Sequence, residues 1–171
     1  LRLSLAELLP LKVTMSKLIQ DKIQERDSVA YVEFGKGDDE VLPDMTFDQV
    51  TEGLKEIRED YRKIDFLIAK ANVDHMVDWE DGKLSIAEAI ELAKQLRGEA
   101  SLLKRFGRSK PMERVETYHM QDTMFRKALF EPSKLKARAE KLEKKANRLS
   151  MAIEKQNHKI EVEFKEADKY L

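Results

Sequence analysis

Glu116 and His119 stand three residues apart, the E-x-x-H spacing that on a helix puts a carboxylate and an imidazole on one face for a carboxylate-bridged metal pair. That chemistry needs a second copy of the step on a facing helix. The chain has only one, and the stretch around it lacks a helical period, so the pair reads as surface residues of a hairpin. The other two histidines, His75 and His158, fall in different segments. A second candidate is the acidic turn "NVDHMVDWEDG", where Asp78, Glu80 and Asp81 invite a calcium reading. A calcium loop begun at Asp78 would need glycine at its sixth position, and Lys83 stands there, with Gly82 one place early. The turn therefore reads as a solvated loop with Trp79 folded onto a helix end. Cysteine is absent, which removes thiolate metal sites, disulfides and a Cys nucleophile. No Gly-rich phosphate loop, serine elbow or metalloprotease helix occurs. The expectation is no catalytic residue, no metal and no cofactor.

One stretch retains a binding chemistry. "KQLRGEASLLKRFGRSKPMER", residues 94–114, gathers Lys104, Arg105, Arg108, Lys110 and Arg114 at a helix end and in the loop after it. Cations there complement the terminal carbonyls of the helix, and they could also hold phosphates of a nucleic acid. Phe106 is the one aromatic nearby, thin support for base stacking. Net charge is −1 over the whole chain, but residues 33–91 hold 17 acids against 7 bases and residues 94–148 hold 16 bases against 7 acids. Pairing of the two halves, within a chain or between subunits, is the simpler account of the basic segment. Nucleic acid is the alternative partner.

The elements that must position these residues are helices. With 171 residues, one domain is the expectation; 38% charged residues, six glycines and four prolines fit long exposed helices rather than a sandwich or a wound sheet. A first helix is predicted from about Ser4 to Arg26, with Leu5, Leu8, Met15, Leu18, Ile19 and Ile23 facing inward and Pro10 interrupting or kinking its start. Val29, Tyr31 and Val32 favour a strand before an acidic, glycine-containing loop. Thr46 and Gln49 form a capping box for a second helix, whose seam is Phe47, Val50, Leu54, Ile57, Tyr61, Ile64, Ile68 and Ala71. Asp81-Gly82 marks a turn, and Ser85 with Glu88 caps a third helix that faces Ile86, Ile90, Ala93, Leu96, Ala100 and Leu103 inward. β-Branched and aromatic residues on either side of Gln121-Asp122 suit a short β-hairpin. The fold class expected is mainly α: four helices in elongated coiled-coil hairpins or a bundle.

The fourth helix is predicted from about 133 to 170, opened by Pro132 and Ser133. Its seam runs Leu135, Ala139, Leu142, Ala146, Leu149 and Ile153, then through Asn157 to Ile160, Phe164, Ala167 and Leu171. Successive four-residue steps at Leu149, Ile153 and Asn157 make a stutter in the heptad, and Asn157 there would fix register. At ~1.5 Å per residue this helix would reach about 55 Å, beyond the span of its neighbours. Ile153, Asn157, Ile160, Phe164 and Ala167 are accordingly the expected oligomer interface.

The phrases "LAELLPLK", "LIAKANV", "DGKLSIAEAI" and "LKARAEKLEKKANRLSMAIEKQN", in this order, resemble a family of small bacterial proteins labelled septicolysin or left as proteins of unknown function. Relatives of that family often carry Asn-Trp near the end, where this chain has Asn157-His158. The resemblance implies an elongated helical fold and oligomers and brings no catalytic residues; the family label alone implies a pore-forming cytolysin. A membrane hairpin from residues 114–130 would be interrupted by Glu116, Arg126 and Lys127. No apolar run approaches the ~18 residues of a membrane helix. The reading is a non-enzymatic, self-associating homo-oligomer of the cytoplasm, acting in assembly or partner binding, with a membrane role disfavoured.

Overall fold

The computed structural model describes residues 1–115 and 124–171. Its order is β1 (Arg2–Ser4), α1 (Leu5–Ser28), α2 (Phe47–Asp74), β2 (Met76–Trp79), β3 (Gly82–Ser85), α3 (Ile86–Gly107), β4 (Met112–Val115), β5 (Met124–Lys127), α4 (Pro132–Asn157), β6 (Glu161–Glu163) and a short 3-10 turn (Ala167–Lys169). The chain is mainly α, with the strands paired as three two-stranded antiparallel sheets. Where one domain was expected, the residues divide into two compact units: 1–75 with 156–171, and 76–155.

In the first unit Ser4 ends β1 and opens α1. Its hydroxyl accepts from Glu7 N at 3.3 Å, and Ser4 N donates to the Glu7 carboxylate at 2.7 Å. This capping box satisfies donors that the first helical turn cannot use. Thr46 and Gln49 do the same for α2: the Thr46 hydroxyl accepts from Gln49 N at 3.2 Å, and Thr46 N donates to Gln49 Oε1 at 2.9 Å. Helices α1 and α2 run antiparallel: Lys12 pairs with Asp65 and lies over the Tyr61 ring, whereas Arg26 lies over the Phe47 ring. Leu5, Leu8, Leu11 and Met15 meet Val50, Leu54, Ile64, Ile68 and Ala71 in the buried set of this unit. Leu18, Ile19 and Ile23 are half-buried, and Phe47, expected in the seam, is exposed. Pro10 lies inside α1 without ending it.

The C-terminal segment departs from the expected long helix. Helix α4 stops at Asn157, and the Ile160 carbonyl oxygen then accepts from Leu5 N at 2.8 Å. Strand β6 pairs with β1, Leu3 opposite Val162. Ile160 (3% exposed), Phe164 (1%) and Ala167 are thus enclosed by the chain's own first unit, and Ile153 is buried too. The overhang that called for a second subunit does not exist. Asn157 is half-buried with its Oδ1 enclosed and without a hydrogen-bond partner among the described residues. The strand expected at Val29, Tyr31 and Val32 is likewise absent: residues 31–43 take neither helix nor strand.

The second unit packs α3 against α4. Ser85 and Glu88 cap α3 as expected. Its inner face is Ile86, Ala89, Ala93, Ala100 and Leu103, with Leu96 half-buried; Ile90 is exposed, so Ala89 takes the place assigned to it. Ala100, Leu103 and Ala139 form one cluster flanked by Leu135 and Leu142. Arg97 donates to Ser150 Oγ at 2.6 Å and Lys104 to Glu143 at 2.5 Å, which sets the two helices antiparallel. At Gly107 an added Cβ would stand 3.1 Å from Lys136 N and 3.2 Å from Pro132 O, so the end of α3 lies directly on the start of α4.

The acidic turn is the loop of the β2–β3 hairpin, with Glu80 at φ 50°. Trp79 lies beside Lys141, Lys144, Lys145 and Arg148 in the middle of α4, not at a helix end. The second hairpin, β4–β5, forms from residues flanking Gln121-Asp122, as the sequence indicated.

Candidate partner-binding cleft

The cleft is built where α3 ends. Arg108 N and Ser109 N return to the oxygens of Arg105 and Phe106, at 3.3 and 3.0 Å, and close the helix. Pro111 cannot continue it. The chain instead enters β4, returns in β5, and Ala128 N donates to Pro111 O at 2.9 Å. This carries Phe130 back to Phe106: their rings meet edge to face at 5.5 Å and 73°. Between the helix end and the returning strand lies a cleft of about 600 Å³ whose lining includes Arg105, Phe106, Lys110, Lys127, Leu129 and Phe130.

Its chemistry is apolar with a cationic border. Leu129 is 95% exposed, and Phe106, Phe130, Phe125 and Met112 also reach solvent. Arg105 lies over the Phe106 ring at 5.2 Å. Among the described lining residues Glu113 is the one acid, and Arg126, opposite it in the β4–β5 register, donates to it from Nε at 2.8 Å. Among the described residues Arg105, Lys110 and Lys127 pair with no carboxylate, so the cleft carries unspent positive charge beside bare aromatic surface.

Of the residues singled out in the sequence, Arg105 and Lys110 line this cleft. Lys104 is half-buried and spent on Glu143, while Arg108 and Arg114 are exposed outside the lining. The general pairing of the acidic and basic stretches is hardly realised: among described pairs only Lys145–Glu80 at 2.6 Å and Lys94–Glu91 at 3.4 Å join them. Arg126, Lys127 and Phe130 were missed as site residues. Their signal was the recurrence of cations in the second hairpin strand and of an aromatic just after it, which becomes a site only once that strand returns to α3.

The other candidate chemistries disperse. Glu116 and His119 lie outside the described residues. His75 closes α2, with Nδ1 3.0 Å from Ala71 O, and His158 is exposed after α4. In the acidic turn, read as a solvated loop, Asp78 faces Lys83 and Glu80 is held by Lys145. Among the described residues no group of three or more His, Asp or Glu side chains is placed to share a metal, and no helix is long and apolar enough to cross a membrane.

One buried charge escaped the sequence reading. Asp60, on the inner side of α2, is 3% exposed and accepts from Lys63, Lys169 and Tyr170, each at 2.9 Å; Lys63 also reaches Glu166 at 2.7 Å. Burial pushes the Asp60 carboxyl up, but the three donors together hold it below its ordinary value. Burial and the bond to Asp60 raise the Tyr170 hydroxyl. With its oxygens occupied, Asp60 clamps the C-terminal turn to α2 rather than offering a reacting group.

No protein-family model matches the chain, and no curated protein matches it. Among solved structures the chain is similar to one titled the crystal structure of a functionally unknown conserved protein from Corynebacterium diphtheriae, with 17% identity and a TM-score of 0.71 over 95% of this chain and 100% of that one. At this identity the likeness is one of fold.

Proposed function

We propose that this protein acts by binding rather than by catalysis, and that the cleft at the end of α3 receives an acidic segment with apolar side chains from a protein partner. The observation that carries the reading is the juxtaposition of the Phe106–Phe130 pair and fully exposed Leu129 with the cations Arg105, Lys110 and Lys127. Apolar surface bordered by one sign of charge is what an amphipathic peptide of opposite sign recognises: burial supplies affinity, and the charges supply orientation and encounter rate. Nucleic acid fits less well, because the two rings stand edge to face and present no pair of open parallel faces for stacked bases.

Fluorescence anisotropy separates these readings. A labelled peptide alternating Asp or Glu with Leu or Phe should bind the full chain saturably, and Arg105→Glu with Lys110→Glu should abolish binding. A labelled single-stranded oligonucleotide should bind more weakly than the peptide at equal salt. Tighter oligonucleotide binding, lost in the same variant, would turn the reading to nucleic acid; no binding of either probe would refute it.

A further inference from the structure

This inference rests on the binding reading above and names the occupant. We propose that the strip Asp38-Asp39-Glu40-Val41-Leu42 of a second copy of this chain docks in the cleft beside Phe106 and Phe130, so that the protein self-associates by exchanging these segments.

The strip lies in the connection between α1 and α2. A turn precedes it, with Asp38 N donating to Gly35 O at 3.0 Å and Gly37 at φ 98°, a conformation that favours glycine. Pro43 then biases Leu42 toward extended backbone. Three consecutive acids and two apolar residues are thereby presented in a short run outside any helix or strand. Val41 is 83% exposed and Leu42 70% exposed, so the described residues give these side chains little cover.

The strip and the cleft are complementary in kind. The acids suit Arg105 and Lys110, and Val41 and Leu42 suit the rings and Leu129. Complementarity extends to the units that carry them. The first unit holds 20 acids against 14 lysines and arginines, and the second holds 18 lysines and arginines against 13 acids. Each copy carries one strip and one cleft, so a reciprocal two-fold exchange uses every strip and every cleft. The second contact forms within an already joined pair, which raises the strength of the whole above that of either contact.

The test is the mass of the full chain by light scattering after size exclusion, at low and high salt. The expected result is a dimer at low salt that shifts toward monomer as salt rises. Arg105→Glu/Lys110→Glu and Asp38→Lys/Asp39→Lys/Glu40→Lys should each be monomeric at low salt, and mixing them in equal amounts should restore the dimer. Val41→Ser/Leu42→Ser, at exposed positions where folding is not at stake, should weaken the dimer at least tenfold at either salt. A monomeric wild type, or a dimer indifferent to all three variants, overturns the proposal. If the wild type is monomeric yet binds the synthetic acidic peptide through the cleft, the occupant is wrong and the binding reading stands. If it neither dimerises nor binds peptide, both fall. Preferential capture of the oligonucleotide through the cleft would also overturn both.

Discussion

The Phe130 ring stands edge-on to that of Phe106 with centroids 5.5 Å apart, and this contact joins the segment after the second hairpin to the end of α3. Such a pair is worth about 0.5–1.5 kcal/mol beyond its buried area. Phe106→Ala should lower the thermal midpoint slightly while weakening acidic-peptide binding about tenfold or more. Anisotropy and a melting curve on the same sample check both; unchanged binding would place the peptide elsewhere.

The Asp60 cluster sets an acid limit on stability. Its folded carboxyl lies below the ordinary ~3.9, so its stabilisation is fully present above about pH 5 and is lost as pH falls through the depressed folded value. Asp60→Asn should cost about 2 kcal/mol at neutral pH, less than for a fully enclosed pair because Lys63 and Lys169 reach solvent. Tyr170→Phe should cost about 1 kcal/mol. Denaturant melts from pH 7 to pH 3 should show the wild-type advantage over Asp60→Asn shrinking on acidification.

Two glycines of α3 should respond oppositely to alanine. At Gly98 an added Cβ meets nothing within 4 Å, so Gly98→Ala should stabilise by about 0.5–1 kcal/mol through helix propensity. At Gly107 it would press on the backbone of Lys136 and Pro132, so Gly107→Ala should destabilise despite the same propensity gain. Urea midpoints of the two variants on opposite sides of wild type are the expected outcome.

Asn157 ends α4 instead of lying within a longer helical seam. Its enclosed Oδ1 lacks a partner among the described residues, and replacing an unsatisfied amide by an apolar group of similar size relieves that cost. Asn157→Leu should therefore raise the thermal midpoint and leave the molecular mass unchanged. Truncation after Ser150 would remove Ile153, Ile160, Phe164 and Ala167 from the cores, so it should unfold the chain rather than merely dissociate it. Calorimetry and light scattering check these outcomes.

What the sequence revealed depended on how local the cause was. The boxes Thr46–Gln49 and Ser85–Glu88 act within one turn, and both helix starts were legible from them. Ser4 and Glu7 carry the same signal at α1 and could have been read identically. The end of α4 was not legible because Asn157, Ile160, Phe164 and Ala167 continue a three-and-four spacing, whereas Ile160, Val162 and Phe164 also alternate at the period of a strand. Strand β1, Arg2–Ser4, distant in sequence, decides between them by pairing with Glu161–Glu163. Val29, Tyr31 and Val32 have strand propensity without a strand to pair with, and propensity alone makes no sheet. The cleft was half legible: Arg105 and Lys110 stood out by charge, but the cations of the returning strand join them only through the β4–β5 register.

The most direct test of the central claim is calorimetric titration of the full chain, carrying Asp38→Lys/Asp39→Lys/Glu40→Lys to leave its cleft open, with a synthetic peptide of residues 36–45. Saturable binding at one peptide per chain is predicted, with a negative heat-capacity change from apolar burial and loss of binding on adding Arg105→Glu/Lys110→Glu. An isotherm unchanged by those two cleft substitutions, or no binding at low salt, would contradict it.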